Sequence, residues 1–356
     1  MIFSNNIHKL LLLFLFVIAG FMSAVISNVK IPVLVILFLV FVYMLNYKFK
    51  SRYYITMVIF LLMSNFVSFF NSFDTIFYSS YLIIFVLIFY IGLSAFNLNL
   101  VLHDKWFAYV IKSTTVIFFS FILTSYLTGI NTNTLLPTGS RNSLGAIILS
   151  MGSISYLLSS KYRNIFLLAT CFLLFALGGR TNQFSALLMA VFMCMTIINS
   201  KFFNILICLL AVGSIAAIEL TLGFGNFTEL VFINESGTSI GLRSTRSIVW
   251  DQWIDNITFS KFIFGFSLAE LPFVYDKLNG NPHNSFILIH SYVGILFIFF
   301  ISWLIYKTLI IDWSASFFIG LLLFKGFFDT ILFPSSLDIF ILFFLFIGHH
   351  AKVRNI

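Results

Sequence analysis

The polar chemistry of this chain rests on a few residues. In 356 residues only 9% are charged, and there are six histidines. Two of them, His283 and His290, lie in Asn281-Pro282-His283-Asn284-Ser285-Phe286-Ile287-Leu288-Ile289-His290, where a proline is followed by an apolar run. His283 stands where water meets that apolar segment. A neutral imidazole there can take the proton of a sugar hydroxyl as general base. The plainer reading is a histidine that caps the helix start or hydrogen-bonds in the loop, with Asn284 beside it. His290 is seven residues on, about two helical turns. It reads as a core histidine, with a supporting role beside His283 as the alternative.

Arginine points to an anionic ligand. The chain has seven arginines, and Arg141, Arg180, Arg243 and Arg246 fall where membrane insertion gives no reason for positive charge. Arg180 is in the turn Gly178-Gly179-Arg180-Thr181-Asn182-Gln183. Arg141 and Asn142 are in Thr138-Gly139-Ser140-Arg141-Asn142-Ser143-Leu144-Gly145, at the mouth of an apolar stretch. A guanidinium is always charged, and its planar fork matches phosphate oxygens. Four at one membrane face suit a lipid diphosphate, whereas any one alone is equally well read as a contact to lipid headgroups or a carboxylate.

Arg243, Arg246, Trp250, Trp253 and Ile257 recur at spacings of three and four, which predicts one stripe on a helix over 241–254 and beyond. Indoles favour headgroup depth, so the stripe reads first as an interfacial anchor. Alternatively Arg243 and Arg246 bracket a diphosphate, with Trp250 supporting the site or stacking on sugar.

The elements that must position these residues are membrane spans. Apolar residues make up 60% of the chain and aromatics 19%, against roughly 45–50% apolar and 25% charged in soluble domains. That composition excludes a cytosolic enzyme, a disordered chain, a nucleic-acid binder and a disulfide scaffold. A span needs about 20 apolar residues. The sequence offers about twelve apolar stretches, several of them shorter than that, at 10–27, 31–45, 53–70, 76–96, 106–127, 144–160, 165–178, 184–198, 203–222, 286–306, 310–324 and 331–347. With the N-terminus inside, 11 Lys and Arg fall on cytoplasmic segments and 8 outside, with Lys112 within a span. Four of those 8 lie in one long outer loop, so the positive-inside rule holds. The first stretch is read as an uncleaved helix, and Cys171, Cys194 and Cys208 as packing residues. The expectation is an all-α polytopic membrane protein of about twelve spans, both termini inside. Its one large periplasmic loop, 223–282, has short helices and six of the chain's 12 acidic residues.

Other signatures are missing. The chain contains no phosphate-binding GxxxxGK[ST] loop, and Gly223-Phe224-Gly225 lacks the third glycine of a dinucleotide fingerprint. Gly265-Phe266-Ser267-Leu268-Ala269 only approximates a nucleophile elbow. With no Asp-x-Asp pair either, no cofactor and no metal are expected.

Taken together, these residues resemble the O-antigen polymerase and O-antigen ligase superfamily of bacterial inner membranes. The resemblance lies in Gly179-Arg180-Thr181, in the Arg243-to-Trp250 helix of the outer loop, and in Pro282-His283-Asn284-Ser285-Phe286 followed by Gly294-Ile295. Asn142-Ser143-Leu144-Gly145 adds a weaker match. It implies a metal-independent glycosyltransferase that uses undecaprenyl-diphosphate-linked oligosaccharide as donor and acceptor. Arginines would hold the diphosphate and His283 would stand near the acceptor hydroxyl. A chain-length regulator and a flippase of the same pathway are further expected partners. The loose motifs and modest length favour polymerase over ligase. A flippase should carry many charges inside its spans, and here there are only Lys112, Glu219, Asp312 and Asp338.

Overall fold

The computed structural model describes residues 13–18, 20, 105–130, 141–159, 162–197, 245–278, 280–332, 335 and 337–354. All regular structure among them is helical. In chain order the helices are α1 (Lys105–Leu127), α2 (Arg141–Leu157), α3 (Arg163–Ala176), α4 (Arg180–Ile197), α5 (Thr245–Asn256), α6 (Phe259–Phe264), α7 (Pro272–Leu278), α8 (Ser285–Val293), α9 (Leu296–Leu309), α10 (Trp313–Phe328) and α11 (Asp338–Arg354). A short 3-10 turn, Leu268–Glu270, precedes α7. The apolar stretches 31–45, 53–70, 76–96 and 203–222, and most of 10–27, lie outside the described residues, as do 223–244 of the loop.

α2 is the hub. Every residue from Leu144 to Tyr156 is buried, and the helix packs against α1, α3, α4, α10 and α11. Its small residues Gly145, Ser150, Gly152, Ser153 and Ser155 let the neighbouring backbones approach closely. Two of the buried hydroxyls find partners within the bundle: Ser155 Oγ donates to Thr115 Oγ1 at 2.8 Å and Ser150 Oγ to the Ala146 carbonyl at 2.7 Å. Aromatic rings fill the space between α2, α4 and α10, with Phe192 stacked on Phe317 at 4.5 Å and edge-on to Tyr156.

The outward faces are apolar as well. On α3, Phe166, Leu167, Thr170, Leu173 and Leu174 turn inward, while Ile165, Leu168, Phe172 and Phe175 are each more than half exposed. A helix of a water-soluble protein places charge on that face.

By length and apolarity α1 alone is fit to cross a membrane among the described residues. The helical segments 163–176, 181–196, 296–309, 313–328 and 338–349 are apolar but shorter. The hydropathy count of twelve therefore exceeds what the described helices carry by length. One reason is visible at 286–306, expected as one span but divided into α8 and α9. Gly294 has φ +53° there, and a methyl on it would overlap the carbonyl of Ile263 in α6. Ile295 N–H donates to that same carbonyl at 3.0 Å. Hydropathy does not register such a break, because its residues are as apolar as the helices beside it.

The described part of the outer loop has a small core of its own. Val249, Phe266, Leu271 and Val274 pack together with Ile287 of α8, and Trp250 and Trp253 lie against them.

Candidate functional site

Three helix starts and one helix end meet in a polar knot. α2 begins at Arg141, α4 at Arg180, α8 at Ser285, and α10 ends at Phe328. All four ends are on the side read as periplasmic from charge.

His283 occupies the bend before α8 with φ +49°, a conformation uncommon for a residue with a Cβ. Its backbone N–H donates to Asn281 Oδ1 at 2.9 Å, which holds the bend. It does not cap the helix. Asn284 does, accepting from the N–H groups of Phe286 (2.8 Å) and Ile287 (3.0 Å). Asn284 Nδ2 donates to the Phe327 carbonyl at 2.7 Å, tying α8 to the end of α10. The imidazole is therefore released from a structural task.

The His283 Nδ1 atom lies 3.6 Å from Asp329 Oδ1, with the histidine side chain 41% exposed and the aspartate side chain 11%. That distance is longer than a tight hydrogen bond. Burial pushes the Asp329 carboxyl up. The interaction with His283, the Asn142 carboxamide and the Thr330 N–H outweigh it and hold the group below its ordinary value. Ser285 fixes the same segment, since its Oγ donates to the Asp329 carbonyl and accepts from the N–H groups of Ile331 and Leu332.

Asn142 links this pair to the arginine turns. It hydrogen-bonds Asp329, and its Oδ1 accepts from Thr181 Oγ1 at 3.2 Å. Arg141, half-buried, lays its side chain over the Gly178–Gly179 turn. A Cβ on Gly179 would sit 3.1 Å from Arg141 Nε, and both glycines have positive φ, +66° and +79°. Only glycine gives the turn this curl without strain. A side-chain ladder, His283–Asp329–Asn142–Thr181, thus ends beside Arg141 and the start of α4.

Of the residues expected from sequence, the structure brings together His283, Asn284, Arg141 and Asn142. Arg180 is the first residue of α4, directly after the glycine turn, and Arg246 is the second of α5. The side chains of both, and the whole of Arg243, lie outside the described parts.

His290 goes elsewhere. It is 2% exposed, with Nε2 3.2 Å from the Phe262 carbonyl and its ring among Trp253, Phe262 and Phe266. This is the core placement, and it docks the loop on α8. Trp250 stacks on Phe327 at 5.1 Å, and Trp253 stands edge-on to His290 at 5.3 Å. The stripe expected to lie along the membrane interface turns its indoles against the protein instead, because the loop core offers them apolar partners. Ser267 caps the 3-10 turn through the Ala269 N–H, which assigns it to local structure.

No protein-family model and no curated protein matches this chain.

Three polar residues of the knot escaped the motif reading. Asp329 and Lys325 lie in a stretch whose hydropathy is dominated by Phe and Leu, and Asn182 looked like the tail of a turn. Among the described residues no group of three or more His, Cys, Asp or Glu gathers as for a metal. The arrangement offers an imidazole backed by a carboxylate and, through Asn142, a guanidinium on a glycine turn. That set can take a proton from a hydroxyl and meet an anionic leaving group.

Proposed function

We propose that the protein is an O-antigen, or surface-polysaccharide, polymerase. It transfers the growing glycan from undecaprenyl diphosphate to the next lipid-linked repeat unit at the periplasmic face of the bacterial inner membrane. The observation that carries this reading is the ladder joining His283 to the Arg141 turn, at one end of a bundle whose outward faces are apolar. About twelve spans, with both termini cytoplasmic, complete the proposal and put that end outside.

The chemistry follows from the groups present. With Nδ1 turned to Asp329, the Nε2 lone pair of His283 receives the proton of the acceptor hydroxyl. The acceptor oxygen bonds to the anomeric carbon of the donor glycan, and the bond from that carbon to the diphosphate oxygen breaks. Undecaprenyl diphosphate leaves carrying the negative charge. Arg141 and Arg180, beside the positive ends of α2 and α4, stabilise that charge as it develops. Arg243 and Arg246 complete the proposed set of diphosphate ligands. Both substrates share one membrane, so association is already confined and orientation supplies much of the remaining rate.

The lipopolysaccharide of a deletion strain tests the reading. A core carrying a single repeat unit is expected. A bare core with polymer still on its lipid carrier makes the protein a ligase. Repeat units trapped on the cytoplasmic leaflet make it a flippase.

A further inference from the structure

Lys325 is in the last turn of α10, four residues before Asp329, and is 1% exposed. A fully buried ammonium between apolar helices costs much more than an apolar side chain in its place, and in membrane proteins such a group marks function. Its Nζ donates to Asn182 Oδ1. An ammonium can only donate, so it can face only the oxygen end of the Asn182 carboxamide. The nitrogen end is then obliged to face the other way. There Asn182 Nδ2 donates to the Arg141 carbonyl at 3.1 Å and the Gly178 carbonyl at 3.0 Å. One of these carbonyls belongs to the arginine and the other to the turn under its guanidinium. Gly145 leaves the space in which the carboxamide sits, since a methyl there would overlap Asn182 Oδ1.

We infer that Lys325 and Asn182 form a positioning pair that aims Arg141 and the Gly178–Gly179 turn at the anionic leaving group, an inference that rests on the function proposed above. At 1% exposure Lys325 offers almost no surface to a substrate. Its charge selects the Asn182 orientation, and that orientation pins two carbonyls that Arg141 needs fixed.

The test uses the full chain in lipid nanodiscs with an undecaprenyl-diphosphate-linked repeat unit. In Lys325→Met, kcat falls about 10- to 100-fold while KM for the donor stays within about threefold, the mark of lost aim. Asn182→Asp keeps a partner for the ammonium and loses both carbonyl contacts. It shows the same loss, and it decides the matter if Lys325→Met does not fold. In an Arg141→Ala background either substitution adds less than about twofold, because each acts through Arg141. Wild-type kcat in a folded Lys325→Met or Asn182→Asp protein overturns the inference and leaves the polymerase reading standing. So does an undiminished effect without Arg141. A wild-type protein that does not extend lipid-linked repeat units brings down the polymerase reading and this pairing with it.

Discussion

His283 Nδ1 stands 3.6 Å from Asp329 Oδ1, across a junction that the sequence separates by three helices, α8, α9 and α10. The contact is possible because Asn284 takes over the capping of α8 and Ser285 anchors the backbone of Asp329. Removing the imidazole in His283→Ala removes a general base, worth about 10²- to 10⁴-fold in rate. Long-chain polysaccharide should disappear while the protein remains inserted and abundant. A normal chain-length ladder in that mutant would exclude His283 as the base.

Asp329 makes a prediction about pH. Its carboxyl is held below the ordinary carboxylate range, so it contributes stability that is fully present above the unfolded value of about 3.9 and is lost as pH falls through the folded one. Asp329→Asn should therefore melt below wild type at about pH 6 to 8, and the gap should close only under about pH 4. Thermal unfolding in detergent across that range checks it. A gap that closed near neutrality would assign the effect to a histidine instead.

The arginines are expected to act as forks and not as point charges. Arg180→Ala and Arg243→Ala should each lose polymer. Lysine at either position should recover only part of it, because bidentate contact to phosphate is absent. Ladder lengths from the four strains are the readout. Full activity in both alanine mutants would leave these side chains with lipid contact alone.

Asn284 holds the approach to the site rather than reacting in it. Losing its cap costs about 1 kcal/mol, and losing the bond to the Phe327 carbonyl about 1 kcal/mol more. Asn284→Ala should show that drop in stability together with reduced activity, and Asn284→Ser should recover most of the cap. A melting curve unchanged by the alanine would contradict the role of this residue in joining α8 to α10.

Gly145→Ala places a methyl on the Asn182 carboxamide, which is pinned by its own bonds. Overpacking of this kind costs about 1–3 kcal/mol. Gly320→Ala, in α10, meets nothing within 4 Å and serves as the control. Equal melting temperatures for the two would mean that the space beside Asn182 is not tight.

Much of the helical class was legible in the sequence, because apolar runs bounded by glycine, proline and charge announce helices whatever surrounds them. His283, Arg141, Asn142 and Asn284 were legible for a related reason, since polar residues at the mouths of apolar stretches have few structural duties. Asp329 and Lys325 were not. They are single polar residues in Phe- and Leu-rich sequence, and what gives them meaning is a partner on a distant helix. The indoles were misread in direction, because the stripe on α5 gives a face but not what lies against it. The break at Gly294 was hidden too, because the group that causes it is a backbone carbonyl, and every residue has one.

The notch between α8 and α9 receives the Ile263 carbonyl and not its side chain. This contact therefore depends on Gly294 and hardly at all on which residue stands at 263, while His290 and the loop core hold the rest of the loop to α8. Position 263 can thus change its side chain and keep this one mooring, as a bayonet fitting accepts any lamp with the right pins.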